Sequence, residues 1–188
     1  MRERFEQIVH ENIQHDGIDN VMKYLASRDF YTAPASTRFH NAFDGGLLLH
    51  SLNVYDCLVK INDNFNLGLK PESMAICGLF HDVCKMDTCK KGKRNVKNEQ
   101  GQWESDDTFE RDEEMPLGHG EKSVFLLNNS FIRLTLNEMY AIRWHMGGFD
   151  SAVKGGEQSI SKAYEKCPLA VALHLADMDS TYLVEEQN

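Results

Sequence analysis

The chain has 188 residues, 41% hydrophobic and 26% charged, and a formal net charge of −9; it suits one domain with at most a modest insertion. No apolar run approaches the about 20 residues that span a bilayer, which excludes a membrane span as a reading. The acidic balance disfavours a protein built to lie along nucleic acid, although a small anionic phosphate ester or nucleotide can still be held by local cations and a metal.

The N-terminal MRERFEQIVHENIQHDG is polar and amphipathic and lacks the apolar stretch of a secretory signal, so a cytoplasmic location is expected. Residues 3–14 and 17–27 read as two amphipathic helices, and residues 1–35 as an N-terminal part packed on the remainder of a single domain. The stretch 28–44 carries proline, serine and glycine signals of an irregular connection. A helix follows from about Gly46 to Ile61, and Pro71 opens another over 71–86. Residues 87–117 break the helical pattern and read as an insertion. A basic cluster, KKGKR, is followed by an acidic one, and RNVKNEQGQWE alternates about a Gln-Gly turn signal. A short β-hairpin around 92–112 is the expectation. Helices are expected near 119–129, 135–146, 157–165 and 168–184. The five cysteines form no Cys-x-x-Cys pair and read as reduced thiols, against both a disulfide framework and a thiolate zinc site.

Histidines and aspartates fall where apolar residues would be expected. In GGLLLHSLNVYDCLVKI, His50 follows Leu47 by three and precedes Val54 by four, so it points with the apolar stripe. In ESMAICGLFHDVCK, steps of three and four lead to His81 and Asp82, which adjacent helical positions allow to reach one point. In the last helix, Asp177 lies four residues after Leu173 in an otherwise apolar run. Carboxylates on such faces are costly unless paired or metal-bound, and one divalent cation satisfies all four groups. His119, at a helix start, and His145, at a helix end, fit a second position. Mixed imidazole and carboxylate donors suit Mn, Fe, Co, Ni or Zn. Taken singly, an inward histidine is more often a hydrogen-bonded core residue, and Asp177 could instead pair with Arg143 or Lys162.

The ordered set His50, His81-Asp82, Asp177, within the phrases GGLLLHSLNV, GLFHDVCK and HLADMDS, resembles the H…HD…D signature of the HD-domain superfamily over roughly residues 36–183. The resemblance implies an all-α helical bundle around one or two divalent transition metals that hydrolyses phosphate esters through a metal-activated water. It implies His50, His81, Asp82 and Asp177 as first-metal ligands, Asp82 as the bridge, and His119 and His145 as ligands of a second metal. Lys85 matches the lysine of the HD-x-x-K form, which faces the substrate phosphate; a dipole-stabilised helix-end lysine is the plain alternative. Arg38 and His40, in the loop before the His50 helix, are candidates for substrate contact. Two phrases look closest to the HD domain of bacterial 3′–5′ exoribonucleases, though the nucleic-acid-binding domain of those proteins is not found in this sequence. HMGGFDSA after His145 is not a GYP motif, which disfavours a cyclic-dinucleotide phosphodiesterase of that type. A phosphohydrolase acting on a nucleotide or short oligonucleotide is the leading expectation. A 3′–5′ exonuclease module, a di-iron oxygenase and a non-enzymatic nucleotide sensor stand as alternatives.

Overall fold

Phe5, Ile8 and Val9, three and four residues apart, form the buried face of helix α1 (Arg2–Asn12). Val21 and Leu25 do the same for α2 (Ile18–Ser27). The computed structural model describes residues 1–37, 40–130 and 132–185; Arg38, expected to contact substrate, lies outside them. The next helices are α3 (Gly46–Phe65), α4 (Pro71–Phe80), α5 (His119–Ser130), α6 (Leu136–Trp144), α7 (Ser151–Lys154), α8 (Ser159–Lys166) and α9 (Pro168–Asp179). α3 packs against α4 and α9, α9 also packs on α6, and α6 on α5, while α1 lies across α3 and α4. The fold is an all-helical bundle with a small β insertion, as the sequence implies. Beneath α1, the Phe5 ring meets Phe30 at 5.3 Å and Phe80 at 5.8 Å between centroids. Burying each such ring contributes about 1.5–3 kcal/mol. No helix is long and apolar enough to cross a membrane among the described residues.

Two close backbone approaches set the spacing of this bundle. A Cβ on Gly78 of α4 would stand 2.8 Å from the Tyr55 Cα of α3. A Cβ on Gly120 of α5 would stand 2.3 Å from the Arg143 carbonyl oxygen of α6. Only glycine permits either contact. Between α5 and α6, Thr135 closes a capping box with Glu138, and the other oxygen of Glu138 accepts from the Ser73 hydroxyl at 2.7 Å, tying α6 to α4.

α4 stops at Phe80, short of the expected 86. A 3-10 turn over Val83–Lys85 follows, so Asp82 sits at a bend (φ −108, ψ 19) rather than on a helical face. The His81 ring explains part of this. Its Nδ1 takes the Gly78 carbonyl at 3.0 Å, an acceptor that a continuing helix offers to the Asp82 amide. The short helix α7 was not foreseen from the sequence, and the last helix gives way at Ser180 to a wider π-type turn over Ser180–Val184.

The insertion is an antiparallel hairpin of β1 (Cys89–Lys97) and β2 (Trp103–Arg111), with Cys89 opposite Arg111 and Lys97 opposite Trp103. The turn lies at the Gln-Gly signal. Gly101 has φ +77, and Asn98 Oδ1 accepts from the Gln100 and Gln102 amides. Three of the four cations of the basic cluster are paired: Lys90 with Asp112, Lys91 with Asp44 at 2.6 Å, Arg94 with Asp106 at 3.0 Å. Exposed pairs of this kind contribute at most about 1 kcal/mol each, and they leave little unpaired charge to steer a long polyanion.

Candidate metal centre

His81 and His145 occupy the same kind of position on different helices. Each is a helix C-cap residue, and each directs Nδ1 to the carbonyl three residues back, Gly78 at 3.0 Å and Ile142 at 2.7 Å. A carbonyl only accepts, so Nδ1 carries the hydrogen and Nε2 keeps its lone pair. Both Nε2 atoms face the bundle interior. His50, from the middle of α3, directs Nδ1 to the Glu185 carboxylate at 2.8 Å and turns Nε2 to the same place. All three histidines are fully buried.

The donors form two adjoining sets. His50 Nε2 lies 3.3 Å from His81 Nε2, 3.2 Å from Asp177 Oδ1 and 3.5 Å from Asp82 Oδ2. His81 Nε2 stands 3.6 Å from Asp82 Oδ2. Two nitrogen or oxygen donors about 2.1 Å from one cation are separated by about 3.0–3.4 Å, so His50, His81 and Asp177 fit around a single ion, with Asp82 Oδ2 beside them. The second set uses the other oxygen of the same carboxylate. Asp82 Oδ1 lies 2.6 Å from His119 Nε2 and 3.4 Å from His145 Nε2. His145 Nε2 is buried without a hydrogen-bond partner. An orphaned imidazole lone pair at this depth is costly, and a cation answers it. The groups His50, His81 and Asp177, and His81, Asp82 and His145, therefore each offer donors to a divalent metal, with His119 beside Asp82 on the cleft side.

The charges here are strongly perturbed. Burial would raise the Asp82 pKa, yet Lys85, His81 and His119 hold it well below the usual range; the Lys85 ammonium is 2.6 Å from Oδ2. Asp177 is likewise lowered, burial being outweighed by its hydrogen bond from His50. Burial opposes a proton on His50, but Asp177 and Glu185 raise it to about 9. Burial also opposes a proton on His119, where Cys84 and Asp82 raise it to about 10. His81 is pushed down to about 3, chiefly by burial.

These shifts fix a pH dependence. In metal-free protein near neutrality, His50 and His119 hold a proton that must leave before Nε2 can bind metal. Metal uptake is therefore expected to release about two protons and to strengthen as pH rises toward 9–10. Titration calorimetry in buffers of different ionisation enthalpy measures this, and metal affinity flat between pH 6 and 8 is the contrary result. The same raised values stabilise the metal-free fold in full below the ordinary imidazole pKa, and that stability is lost as pH passes the folded values.

Most of the expected site residues converge here: His50, His81, Asp82, Asp177, His119, His145 and Lys85. Arg143 pairs with Glu121 and Asp150 instead of Asp177. Lys85 and His119 line a cleft of 330 Å³. His40 lies with its ring 5.0 Å from that of His50, on the Glu185 side. Burial, above all, lowers its pKa to about 4.

Sequence reasoning missed four residues. Arg111 and Lys122 line the same cleft; which strand face Arg111 takes depends on hairpin register. Cys84 also lines it. Glu185 is the fourth. The π-type turn closes with the Glu185 amide on the Ser180 carbonyl at 2.9 Å, and this extra residue brings the side chain back under α3. There Glu185 Oε1 accepts from the His50 ring and from the Ser180 hydroxyl at 2.6 Å. A buried carboxylate behind a ligating histidine fixes its tautomer. Glu185→Ala is expected to weaken metal binding about 10- to 100-fold. Glu185→Gln should recover most of that, because its amide oxygen still accepts from Nδ1. Competition with a chromophoric chelator reads both; equal affinities in wild type and Glu185→Ala would rule out this role.

A family model described as HD domain matches residues 47–182. No curated protein and no solved structure matches the chain.

Proposed function

Because the chain belongs to the HD-domain family, whose members are generally metal-dependent hydrolases, we propose that it hydrolyses a phosphate ester of a nucleotide or short oligonucleotide. One observation carries this reading: the two oxygens of Asp82 face two different donor sets, Oδ2 toward His50 and His81, Oδ1 toward His119 and His145. A carboxylate divided in this way suits a pair of cations from Mn, Fe, Co, Ni or Zn. Cations held there supply Lewis-acid activation of water and of the phosphoryl group.

The protein's own residues do the rest. Glu185, Gly78 and Ile142 fix the imidazoles, so the donors need no reorganisation when substrate arrives. Lys85 stands at the junction of Asp82 and the cleft, and its ammonium neutralises charge that develops on phosphoryl oxygens. Arg111 and Lys122 add positive charge along the wall. Lys122 is held by Glu113 at 2.7 Å, while Arg111, largely exposed, stands 3.8 Å from the same carboxylate and is the freer contact for a distal phosphate. The cleft, near 330 Å³, lies at the small end of ligand pockets. It suits a mononucleotide or a chain end better than a duplex. Arg38 and His40 remain proposed contacts of the loop that borders it.

The test is direct. Purified protein is given manganese or cobalt and assayed on a generic phosphodiester, a panel of nucleotides, and labelled single-stranded RNA and DNA. Turnover on small esters supports this reading, and processive shortening of labelled strands supports an exonuclease module instead. Two equivalents of bound metal without turnover on any phosphate ester would overturn hydrolysis. Tight nucleotide binding without product would then identify a sensor, and an oxygen-sensitive iron spectrum an oxygenase.

A further inference from the structure

A second cleft, of 550 Å³, opens between the β hairpin and the loop that leads into α3. Phe43 of the loop and Phe109 of β2 line it, together with Thr37 and Thr108. Phe43 is 43% exposed, so its ring has apolar surface to offer a ligand. The cleft is also cationic, in a chain of net charge −9. Lys91, Lys93 and Arg94 line it against one carboxylate, Asp44, which Lys91 holds at 2.6 Å.

This cleft continues the one beside the metal centre. Thr37 borders both. On the hairpin, Lys91 stands opposite Phe109, and the next pair inward on the same face is Cys89 with Arg111. Cys89 and Arg111 line the inner cleft, where Lys85 and His119 stand. One such step is two residues, about 7 Å of strand, a length comparable to one extended nucleotide.

We propose that the outer cleft is a stacking subsite for the base of a second nucleotide, so that the preferred ligand is a single-stranded oligonucleotide of two or more units rather than a mononucleotide. The proposal rests on the phosphohydrolase reading above and names its substrate class. The terminal unit occupies the inner cleft, and the base of its neighbour lies against Phe43 and Phe109. Stacking of this kind tolerates any sequence, because every base has a π-face. The Thr37 and Thr108 hydroxyls are polar contacts for the sugar. Charge plays the smaller part. Arg94 is shared with Asp106 at 3.0 Å, and the register sets Asp107 across from Lys93. Aromatic contact therefore supplies most of the hold. A duplex, whose bases already stack on one another, has no free face to give.

Calorimetry separates the two units. Manganese-loaded protein is titrated with a thymidine dinucleotide whose link is a non-cleavable methylenephosphonate, and with the matching one-unit phosphonate. The two-unit analogue is expected to bind about tenfold or more tightly. Phe109→Ala should remove most of that advantage, and Phe109→Tyr, which keeps a ring, should retain it. Phe43→Ala repeats the test from the loop, without touching a strand. Trp103→Ala, at the outer end of the same hairpin and outside the cleft lining, should bind as wild type does, which separates lost stacking from a damaged hairpin. Equal affinity for the one-unit and two-unit analogues overturns the subsite and leaves hydrolysis standing. A two-unit advantage that survives both Phe43→Ala and Phe109→Ala does the same. An advantage lost in those variants, in a protein that cleaves no phosphate ester, upholds the subsite and overturns hydrolysis.

Discussion

Asp82→Ala is expected to reduce turnover at least about a thousandfold and to lower the metal retained after dialysis at both positions. Each donor set draws one oxygen from this residue, 3.5 Å from His50 on one side and 2.6 Å from His119 on the other, so this substitution reaches both. The loss exceeds the 10²–10³ typical of removing one charge-stabilising group, because two sets are broken together. Asp82→Asn is the sharper companion. Its one remaining oxygen can serve one cation and cannot bridge, so bound metal should fall toward one equivalent while activity stays lost. Metal-free Asp82→Ala protein should also unfold more easily. Lys85 and His119 would be left as neighbouring positive charges without their partner, and breaking a buried pair costs about 3–5 kcal/mol. Elemental analysis and steady-state rates on a generic diester are the measurements. Two metals retained in Asp82→Ala would show that Asp82 does not join the two positions.

Lys85→Ala separates binding from chemistry, because its two expected effects have opposite signs. The ammonium sits 2.6 Å from Asp82 Oδ2, where it competes with any cation for that oxygen. Removing it should leave metal affinity unchanged or raise it. Turnover should nevertheless fall about 10²–10³-fold, as a charge facing the phosphoryl oxygens is lost. Lys85→Arg keeps the charge but not the compact point donor, and should recover only part of the rate. A merely structural lysine would lower metal affinity and rate together, and that parallel loss is the result that removes its proposed role.

His50, His81 and Asp177 were legible because a polar side chain on an apolar helical face stands out against periodicity. The same argument placed Asp82 beside His81 on a helix, where the chain has already left helical geometry; the carboxylate reaches the centre from a bend. The difference matters, since the bend presents its two oxygens to opposite sides. Glu185 was invisible because it follows a turn of five residues wider than the α-helix, and no repeat of three and four predicts where such a residue points. Cys84 read as one more reduced thiol, since spacing alone does not tell a buried cysteine beside a histidine from one beside leucine. The hairpin's turn was plain in Gln100 and Gly101, but the strands run further toward Cys89 than expected. Their faces are charged on both sides, and cross-strand pairs such as Arg94 with Asp106 replace the alternation that marks a half-buried strand.

Where α3 and α4 meet, main chain rests on main chain at Tyr55 and Gly78. The bite between imidazoles 50 and 81 is thus set by a contact that no rotamer can relax. A chelate of rigid span sorts ions by radius, independently of their taste for nitrogen or sulfur. Wedging those helices apart by one methyl, with Gly78→Ala, is accordingly a route to enlarging the hole and turning its preference toward bigger ions.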